Sequence, residues 1–237
     1  MKSPSAISDT ISGSLLILLP TALIIVQPDL GSALVILAIG AGMVLIRGIP
    51  TWHFILLICL MAIVIPLGVW PNLENYQRER ITIFWNPEKD PQDQGYQIIQ
   101  SRIAIGSGGL WGKGYRQGTQ SQLGFIPYHY ADFIYAVLAE EGGFVAAAGL
   151  LLLYALLFWR LVAMAIECPK ERDQLIIAGV LSFISFQMIV NIGVTLGLAP
   201  VTGITLPLVS YGGTSLLSTL LSLTLAYVAH RDRYSDW

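Results

Sequence analysis

The sequence predicts an all-α integral membrane protein with about six transmembrane helices and one long extracytoplasmic loop. Hydrophobic residues make up 54% of the 237 residues and charged residues only 12%, whereas an ordinary soluble domain carries roughly 25% charged residues. Apolar runs recur along the chain at lengths near the ~20 residues that a spanning helix needs. The whole chain, 1–237, is therefore predicted to form a single membrane domain, and its formal net charge of −2 does not indicate nucleic-acid binding.

Polar segments between the apolar runs predict where the helices end. The six runs lie at 11–26, 32–47, 52–70, 133–159, 175–198 and 207–229. The first two are short for a membrane span, so we expect them to tilt or to include polar flanking residues. Pro28 and Asp29 lie between these two runs, where Pro28 disfavours helix in the preceding residue and Asp29 can cap the next helix. No cleavage pattern follows the first run, so we expect no signal peptide.

Basic residues in the short connections predict the orientation in the membrane. In a six-span protein one side carries Lys2, Arg47, Arg160, Lys170, Arg172, Arg231 and Arg233. The positive-inside rule places that side, with both termini, in the cytoplasm. The loop 71–132 then lies outside the membrane, and its own basic residues do not contradict this orientation because long loops translocate largely regardless of charge.

The long loop contains one predicted helix and one glycine-rich segment. Apolar residues at 96, 99 and 103 have helical spacing, which predicts an interfacial or docked helix over 96–105 that stops at Gly106-Ser107-Gly108-Gly109. The following glycines match neither a P-loop nor a dinucleotide-binding fingerprint. They could still offer backbone N–H groups to an anion, with Arg102, Lys113 and Arg116 supplying positive charge.

Asp132 opens the fourth apolar run, and two further acids follow it. An aspartate at this position predicts a helix N-cap, and a catalytic carboxylate is the alternative. Glu140 and Glu141 lie about 12–14 Å further along the same helix, which is too far for a close carboxylate pair with Asp132. Because acids inside a membrane helix are costly, both should face protein or water, and we expect structural partners such as backbone or arginine.

The stretch 205–215 interrupts the last apolar run with Pro207, Ser210, Tyr211 and two glycines. Irregular backbone at membrane depth is tolerated only where protein or a wet cavity satisfies its polar groups. One interpretation is that this segment lines a cavity. The other is an ordinary helix start, with Pro207 in the first turn and glycines for close packing.

The cysteines and histidines do not indicate a metal site. Cys59 and Cys168 have no disulfide or ligand spacing, and His53 and His129 have no ligand-spaced companions. No cofactor is assigned from the sequence, and a divalent cation stays open.

Four separated stretches together resemble one family. They are Gln27–Gly31; Asn86-Pro87-Glu88 with 95–101 and 104–109; Gly118-Thr119-Gln120 with 132–134 and 136–141; and 200–203 with 207–213. In this order they are similar to the SEDS membrane proteins (shape, elongation, division and sporulation), a family that includes RodA, FtsW and SpoVE, and they are most similar to its rod-shape-determining members. The resemblance extends over essentially the whole chain.

The resemblance implies a peptidoglycan glycosyltransferase of the bacterial inner membrane. Such proteins polymerise lipid II into glycan strands, with inversion at the sugar, and work with a class B penicillin-binding protein and other elongation or division proteins. The family's essential carboxylate corresponds to Asp132. The cationic candidates for the diphosphate are Arg102, Lys113 and Arg116; further substrate-binding candidates in the matched stretches are Gln120, Glu140, Glu141, Ser210 and Tyr211.

Two departures from the family pattern bear on these expectations. The family usually has His-Thr before the aspartate, where this chain has Tyr130-Ala131. The family also has ten membrane helices, and the six expected here correspond to its last six, so we expect this chain alone to polymerise poorly. Two other functions stay open: a lipid II flippase or transporter, which broken helices would suit, and a non-catalytic scaffold of the elongation or division machinery.

Overall fold

Seven α-helices with defined bounds make up most of the described part of the protein; residues 82–85 are also helical, and that part contains no strand. The computed structural model describes residues 7–27, 29–46, 78, 82–90, 94–125 and 131–232. The helices are α1 (Ile7–Val26), α2 (Leu30–Ile46), α3 (Gln94–Ser107), α4 (Thr119–Gln122), α5 (Ile134–Glu167), α6 (Glu171–Leu196) and α7 (Gly213–Arg231), with a 3-10 turn at Pro87–Lys89. Helix α6 is central, because α2, α5 and α7 all pack against it.

Five of the six predicted apolar runs are helical in the structure. The run 52–70 lies outside the described residues, as do Lys2, Arg47 and Arg233, so the six-span count and part of the charge pattern stay predictions. Within the described ranges, Ile134–Glu167 and Glu171–Leu196 are long and apolar enough to cross a membrane, and Leu30–Ile46 is a shorter apolar helix. As expected for a short run, α1 begins in the polar flank, at Ile7.

One helix boundary differs from the predictions, and one predicted cap is confirmed. Helix α5 continues eight residues beyond the predicted run, to Glu167, so Arg160 lies inside the helix and the connection to α6 is only Cys168–Lys170. Asp29 does cap α2, as predicted: its Oδ1 accepts a hydrogen bond from Ser32 N at 3.0 Å, and its Oδ2 accepts one from Ser32 Oγ at 2.6 Å.

Helix α3 forms where the loop helix was predicted, but its buried face is different. The predicted stripe at 96, 99 and 103 is not the docked face, since Ile103 is 46% exposed. The buried side chains are instead Ile98, Ser101 and Ala104, with Gln97 beside them. Small residues at 101 and 104 let the α3 backbone approach its neighbours closely, and this close packing outweighs the larger side chains of the apolar stripe.

Helix α5 is broken at Gly143, and the glycine-rich segment of the loop fills the break. Gly143 has φ 67° and ψ −168°, a backbone conformation that essentially only glycine adopts. Phe144 N and Val145 N therefore donate to Gly109 O and Leu110 O, instead of to the helix. In return, the carbonyls of residues 140 and 141 accept from the N–H groups of residues 113 and 114, at 3.0 and 2.9 Å.

These hydrogen bonds contradict the prediction that the glycine-rich segment offers its backbone N–H groups to an anion. The N–H groups of Lys113 and Gly114 are used by α5, and that of Gly112 donates to Gly108 O at 2.8 Å. The glycines of the loop serve to approach the broken helix closely. They satisfy backbone groups that would otherwise be orphaned at the break.

The last apolar run contains a non-helical stretch before α7 begins. α6 ends at Leu196 with Gly197 in the left-handed conformation, and Leu198 N donates to Gly193 O in the pattern of a Schellman motif. The chain then stays irregular to Gly212, and α7 starts at Gly213, six residues after Pro207. The interpretation of Pro207 as a first-turn residue is therefore wrong, and the expectation of irregular backbone is confirmed.

Candidate functional site

Asp132 lies in a turn that one buried and one half-buried side chain connect to the irregular segment. Asn191 of α6 is 1% exposed, and its Nδ2 donates to Asp132 O at 3.0 Å and to Ile204 O at 2.8 Å. Ser210 Oγ donates to Ala131 O at 2.6 Å and accepts from Leu206 N at 2.8 Å. The backbone around Asp132 is thus held from both sides by residues more than fifty positions away.

The irregular segment obtains its hydrogen bonds from protein, as non-helical backbone at membrane depth requires. The buried Tyr154 hydroxyl of α5 donates to Pro207 O, and Thr205 Oγ1 and Ser215 Oγ are 2.7 Å apart. Leu206 and Pro207 are fully buried. Leu208, by contrast, has φ 65° and is 42% exposed, so the segment turns sharply outward just before Ser210.

Asp132 is not the N-cap of α5. That position belongs to Phe133, which makes no side-chain capping bond, and the helix begins at Ile134. The cap interpretation of Asp132 is therefore wrong. Asp132 is only partly buried, just before the N-terminal end of α5, whose first turn is closely packed by Phe133 and Ala136. A partly exposed carboxylate on an anchored backbone is suited to accept a proton from a bound molecule.

Glu140 is the centre of a second group of polar residues. Its carboxylate is 0% exposed and accepts from Lys113 Nζ at 2.8 Å and from Thr119 Oγ1 at 3.2 Å. It also accepts from Gln120 N at 2.9 Å, and from Ser121 N and Oγ at 3.1 and 3.0 Å. Gly118 at the N-cap of α4 offers no side chain, so a carboxylate from α5 caps α4 in its place.

These contacts confirm the structural interpretation of the two glutamates. The charged partner of Glu140 is Lys113, however, and not an arginine. Glu141 is half-buried, and its Oε1 accepts from Gln122 Nε2 at 2.9 Å. Lys113 forms an ion pair with a buried acid. It is therefore less suited to bind an incoming diphosphate than the sequence analysis expected.

Arg102 closes the C-terminal end of α6. Its Nε donates to Leu196 O at 3.1 Å and its Nη2 to Gly197 O at 2.8 Å, while the neighbouring Ser101 Oγ donates to Thr195 O at 2.8 Å. Three carbonyls without helical partners are thereby satisfied from α3. Arg102 remains exposed at its guanidinium, but two of its donors already bind backbone.

The remaining candidates are more exposed. Arg116 is exposed, with its guanidinium 5.6 Å from the Tyr115 ring centroid. Tyr211 is 78% exposed beside Ser210. Gln120 Oε1 differs from these, because it is buried without a hydrogen-bond partner.

No cluster of three His, Cys, Asp or Glu side chains able to hold a metal ion occurs in the parts of the chain that the structure describes, so the donor set for a tightly bound divalent cation is not met there.

The sequence analysis did not single out Asn191 and Tyr154, which position the site. One available signal was that Asn191 is an amide in the middle of an apolar run, where a polar group needs a partner. Tyr154 gave no comparable signal, because a tyrosine among leucines is common in a membrane helix.

Together, the apolar helices and the partly exposed Asp132 at one helix end define a helical membrane protein with a polar site at one end of its bundle. A family model described as cell cycle protein, covering FtsW, RodA and SpoVE, matches residues 2–235. The chain belongs to this family.

Two named relatives are similar over more than nine tenths of this chain. Peptidoglycan glycosyltransferase MrdB of Escherichia coli is 40% identical over 231 residues, which are 97% of this chain and 62% of MrdB. Stage V sporulation protein E of Bacillus subtilis is 40% identical over 215 residues, 91% of this chain and 57% of that protein. The chain thus spans less than two thirds of the length of these relatives.

Two solved structures have the same arrangement of helices. One chain of a peptidoglycan synthase complex, studied for its coordination of polymerization and crosslinking, matches with a TM-score of 0.81 and 45% identity over 100% of this chain and 66% of that chain. Rod shape determining protein RodA of Thermus thermophilus matches with a TM-score of 0.66 and 36% identity over 99% of this chain and 60% of RodA. RodA proteins are integral membrane proteins, and the chain is accordingly an all-helical membrane protein.

Proposed function

We propose that the protein takes part in peptidoglycan glycosyl transfer, polymerising lipid II into glycan strands for cell-wall elongation or division. The observation that carries the proposal is the double anchoring of the Asp132 turn by Asn191 and Ser210, in a chain 40% identical to a peptidoglycan glycosyltransferase. Anchoring matters because a catalytic base must be held within hydrogen-bond reach of the proton that it removes.

In the proposed reaction, Asp132 removes the proton from a sugar hydroxyl of one substrate. That oxygen forms a bond to the anomeric carbon of the other substrate, and the bond to the diphosphate breaks on the opposite face, so the diphosphate leaves with the electron pair. One displacement inverts the sugar and needs one base together with positive charge for the leaving group. Arg116 is an exposed candidate for that charge, whereas Arg102 already binds backbone carbonyls and Lys113 already pairs with Glu140.

The proposed setting is the inner membrane of a bacterium. We place both termini in the cytoplasm and the segment 71–132 outside, with 1–237 as a single membrane domain of six spans. The substrates are lipid II and the nascent strand, and a class B penicillin-binding protein would crosslink the product. The similarity to peptidoglycan glycosyltransferase MrdB of E. coli and to a chain of the peptidoglycan synthase complex supports this assignment.

The observed contacts do not favour transport. A transporter would be favoured by Glu140 and Glu141 together lining a through-going wet path, whereas Glu140 is fully buried and accepts five hydrogen bonds or ion-pair contacts. A scaffold without chemistry remains an outcome of the test below.

Asp132→Asn tests the proposal directly. The amide keeps the size and the hydrogen-bonding capacity of the side chain but cannot take a proton, so polymerisation of purified lipid II should fall by at least ~100-fold, the low end of general-base contributions. Asp173→Asn, in the first turn of α6, is the matched control and should retain activity. Both variants should insert into membranes normally.

The assay uses a version extended by the four helices that the family has before this chain, purified with its crosslinking partner, and strand length is measured on gels. Polymerisation by Asp132→Asn within a few fold of the unmodified protein would remove the carboxylate from the mechanism. A preparation without polymerase activity even before mutation would favour the scaffold.

A further inference from the structure

A groove opens between α5 and α7 at the end of the bundle opposite Asp132. It encloses about 490 Å³, within the roughly 300–1,000 Å³ range of small-molecule sites. Its walls are apolar, and they consist of Leu157, Leu161, Met164 and Leu223. Because roughly 24 Å of helix separate Phe144 from Arg160 at 1.5 Å per residue, the groove is distinct from the site around Asp132.

Arg160 lines this groove as an exposed cation on an apolar helix. Among the residues that the structure describes, no hydrogen bond or ion pair engages its guanidinium. Trp159 beside it is 72% exposed and Tyr227 across the groove is 60% exposed. Tryptophan and tyrosine are enriched at the level of the lipid headgroups, so their presence here favours a phosphate near Arg160.

The mouth of the groove adds further basic groups. His230 and Arg231 complete the lining in the last turn of α7, where positive charge offsets the negative end of the helix dipole. Arg231 pairs with the neighbouring Asp232 at 2.8 Å, and its guanidinium holds the pKa of the Asp232 carboxyl below its usual range. His230 lies 3.2 Å from Glu167. Asp232 is paired with Arg231, and Glu167 lies within hydrogen-bond distance of His230, so neither acid is paired with Arg160.

We propose that this groove binds an anionic phospholipid. The phosphate would accept hydrogen bonds from Arg160 and Tyr227, and the acyl chains would lie along the leucine and methionine walls. A free phosphate ion fits less well because it leaves these walls exposed to water. Phosphatidylcholine fits less well because its choline cation would meet Arg160 at the mouth. The inference does not depend on the reaction proposed above.

Native mass spectrometry of the purified protein, titrated with single lipids, tests the inference. We expect phosphatidylglycerol to bind at least tenfold more tightly than phosphatidylcholine with the same acyl chains. Arg160→Gln should weaken phosphatidylglycerol binding about tenfold, the loss of one charge-assisted contact. Arg160→Lys should retain most of the affinity. Arg172→Gln removes the same charge from an exposed residue outside the groove and should change affinity less than twofold.

Two further measurements distinguish binding of a whole lipid from binding of a simple anion. Leu223→Trp fills the groove without changing its charge, and it should weaken binding of phosphatidylglycerol. Glycerol 3-phosphate, which has the headgroup chemistry without the chains, should not displace the lipid. The inference is overturned if both lipids bind equally, if Arg160→Gln and Arg172→Gln have equal effects, or if glycerol 3-phosphate competes fully. Unchanged thermal unfolding of each variant shows that the fold is intact.

Discussion

At the scale of single residues, the site depends on one buried amide. Asn191 joins the turn of Asp132 to the segment after α6 through two hydrogen bonds from the same nitrogen. Its Oδ1 is buried without a partner, and so is Oε1 of Gln187, one turn earlier on the same helix. The two amides therefore form a natural comparison, since only Asn191 makes hydrogen bonds that hold other segments.

Asn191→Leu should destabilise the protein and impair catalysis. Two carbonyls lose their donor, which costs about 1–3 kcal/mol for each buried group left unsatisfied. Polymerisation should fall tenfold or more, because small displacements of a catalytic group are costly. Gln187→Leu, the control, should leave thermal unfolding unchanged or raise its midpoint. Equal unfolding midpoints for the two variants would contradict the role given to Asn191.

Residue types could be assigned to the site from sequence, but their partners could not. Asp132 was identified on its position before an apolar run and on family resemblance, and Lys113 on its charge. That Lys113 faces Glu140, 27 positions away, depends on the break in α5, which no local pattern predicted. Local spacing reports which residues share a helix face; it does not report which loop covers that face.

At the scale of elements, α5 and the glycine-rich loop form one unit. The hydrogen bonds missing at the Gly143 break are replaced by an exchange with residues 109–114. Glu140 adds a buried ion pair and the cap of α4 to the same unit. The sequence predicted that this loop binds an anion. In the structure its backbone groups instead hydrogen-bond to α5 and stabilise the break at Gly143.

Gly143→Ala should destabilise this unit strongly. The residue has φ 67°, and a Cβ there would collide with Gly112 N and Leu110 O. Backbone strain of this kind costs roughly 1–3 kcal/mol before the collision is counted. Gly149→Ala, further along α5, meets no atom within 4 Å and should be neutral or stabilising. Thermal unfolding in detergent measures both; similar midpoints would mean that the break is not required.

Lys113→Met should also destabilise the protein, by about 3–5 kcal/mol, because it leaves Glu140 charged, buried and without its ion-pair partner. Adding Glu140→Gln should recover part of the loss, since the neutral amide needs no counter-charge. Arg116→Met serves as the control and should have little effect, because Arg116 is exposed. Equal losses in the single and double variants, measured by chemical unfolding, would argue against coupling of the two residues.

At the scale of the whole molecule, the described part of the segment 94–122 packs onto the bundle at several points. Ser101 and Arg102 close the end of α6, and the α5 unit holds residues 108–122. These ties bring the candidate cations to the same end of the helices as Asp132. The basic residues Arg160, Lys170 and Arg231 are at the opposite end, where α5 ends, α6 begins and α7 ends.

The proposed orientation makes a prediction for labelling in intact cells. In a background with Cys59 and Cys168 replaced by alanine, a cysteine at position 90 should react with a membrane-impermeant maleimide added outside. A cysteine at position 170 should be spared, because the positive connection stays in the cytoplasm. Both should react after lysis. Labelling at position 170 together with protection at position 90 would indicate the opposite orientation in the membrane.

Composition and apolar runs were enough to establish the helical membrane class, because burial in lipid demands long apolar helices with internal hydrogen bonds. The cap of α2, the helix at 94–107 and the irregular stretch before α7 also followed from local patterns. The buried face of α3, the break at Gly143 and the anchoring of Asp132 were decided only by tertiary structure. Each of these depends on hydrogen bonds between segments distant in sequence, and the free energy of such a bond depends on a partner that the local sequence does not contain.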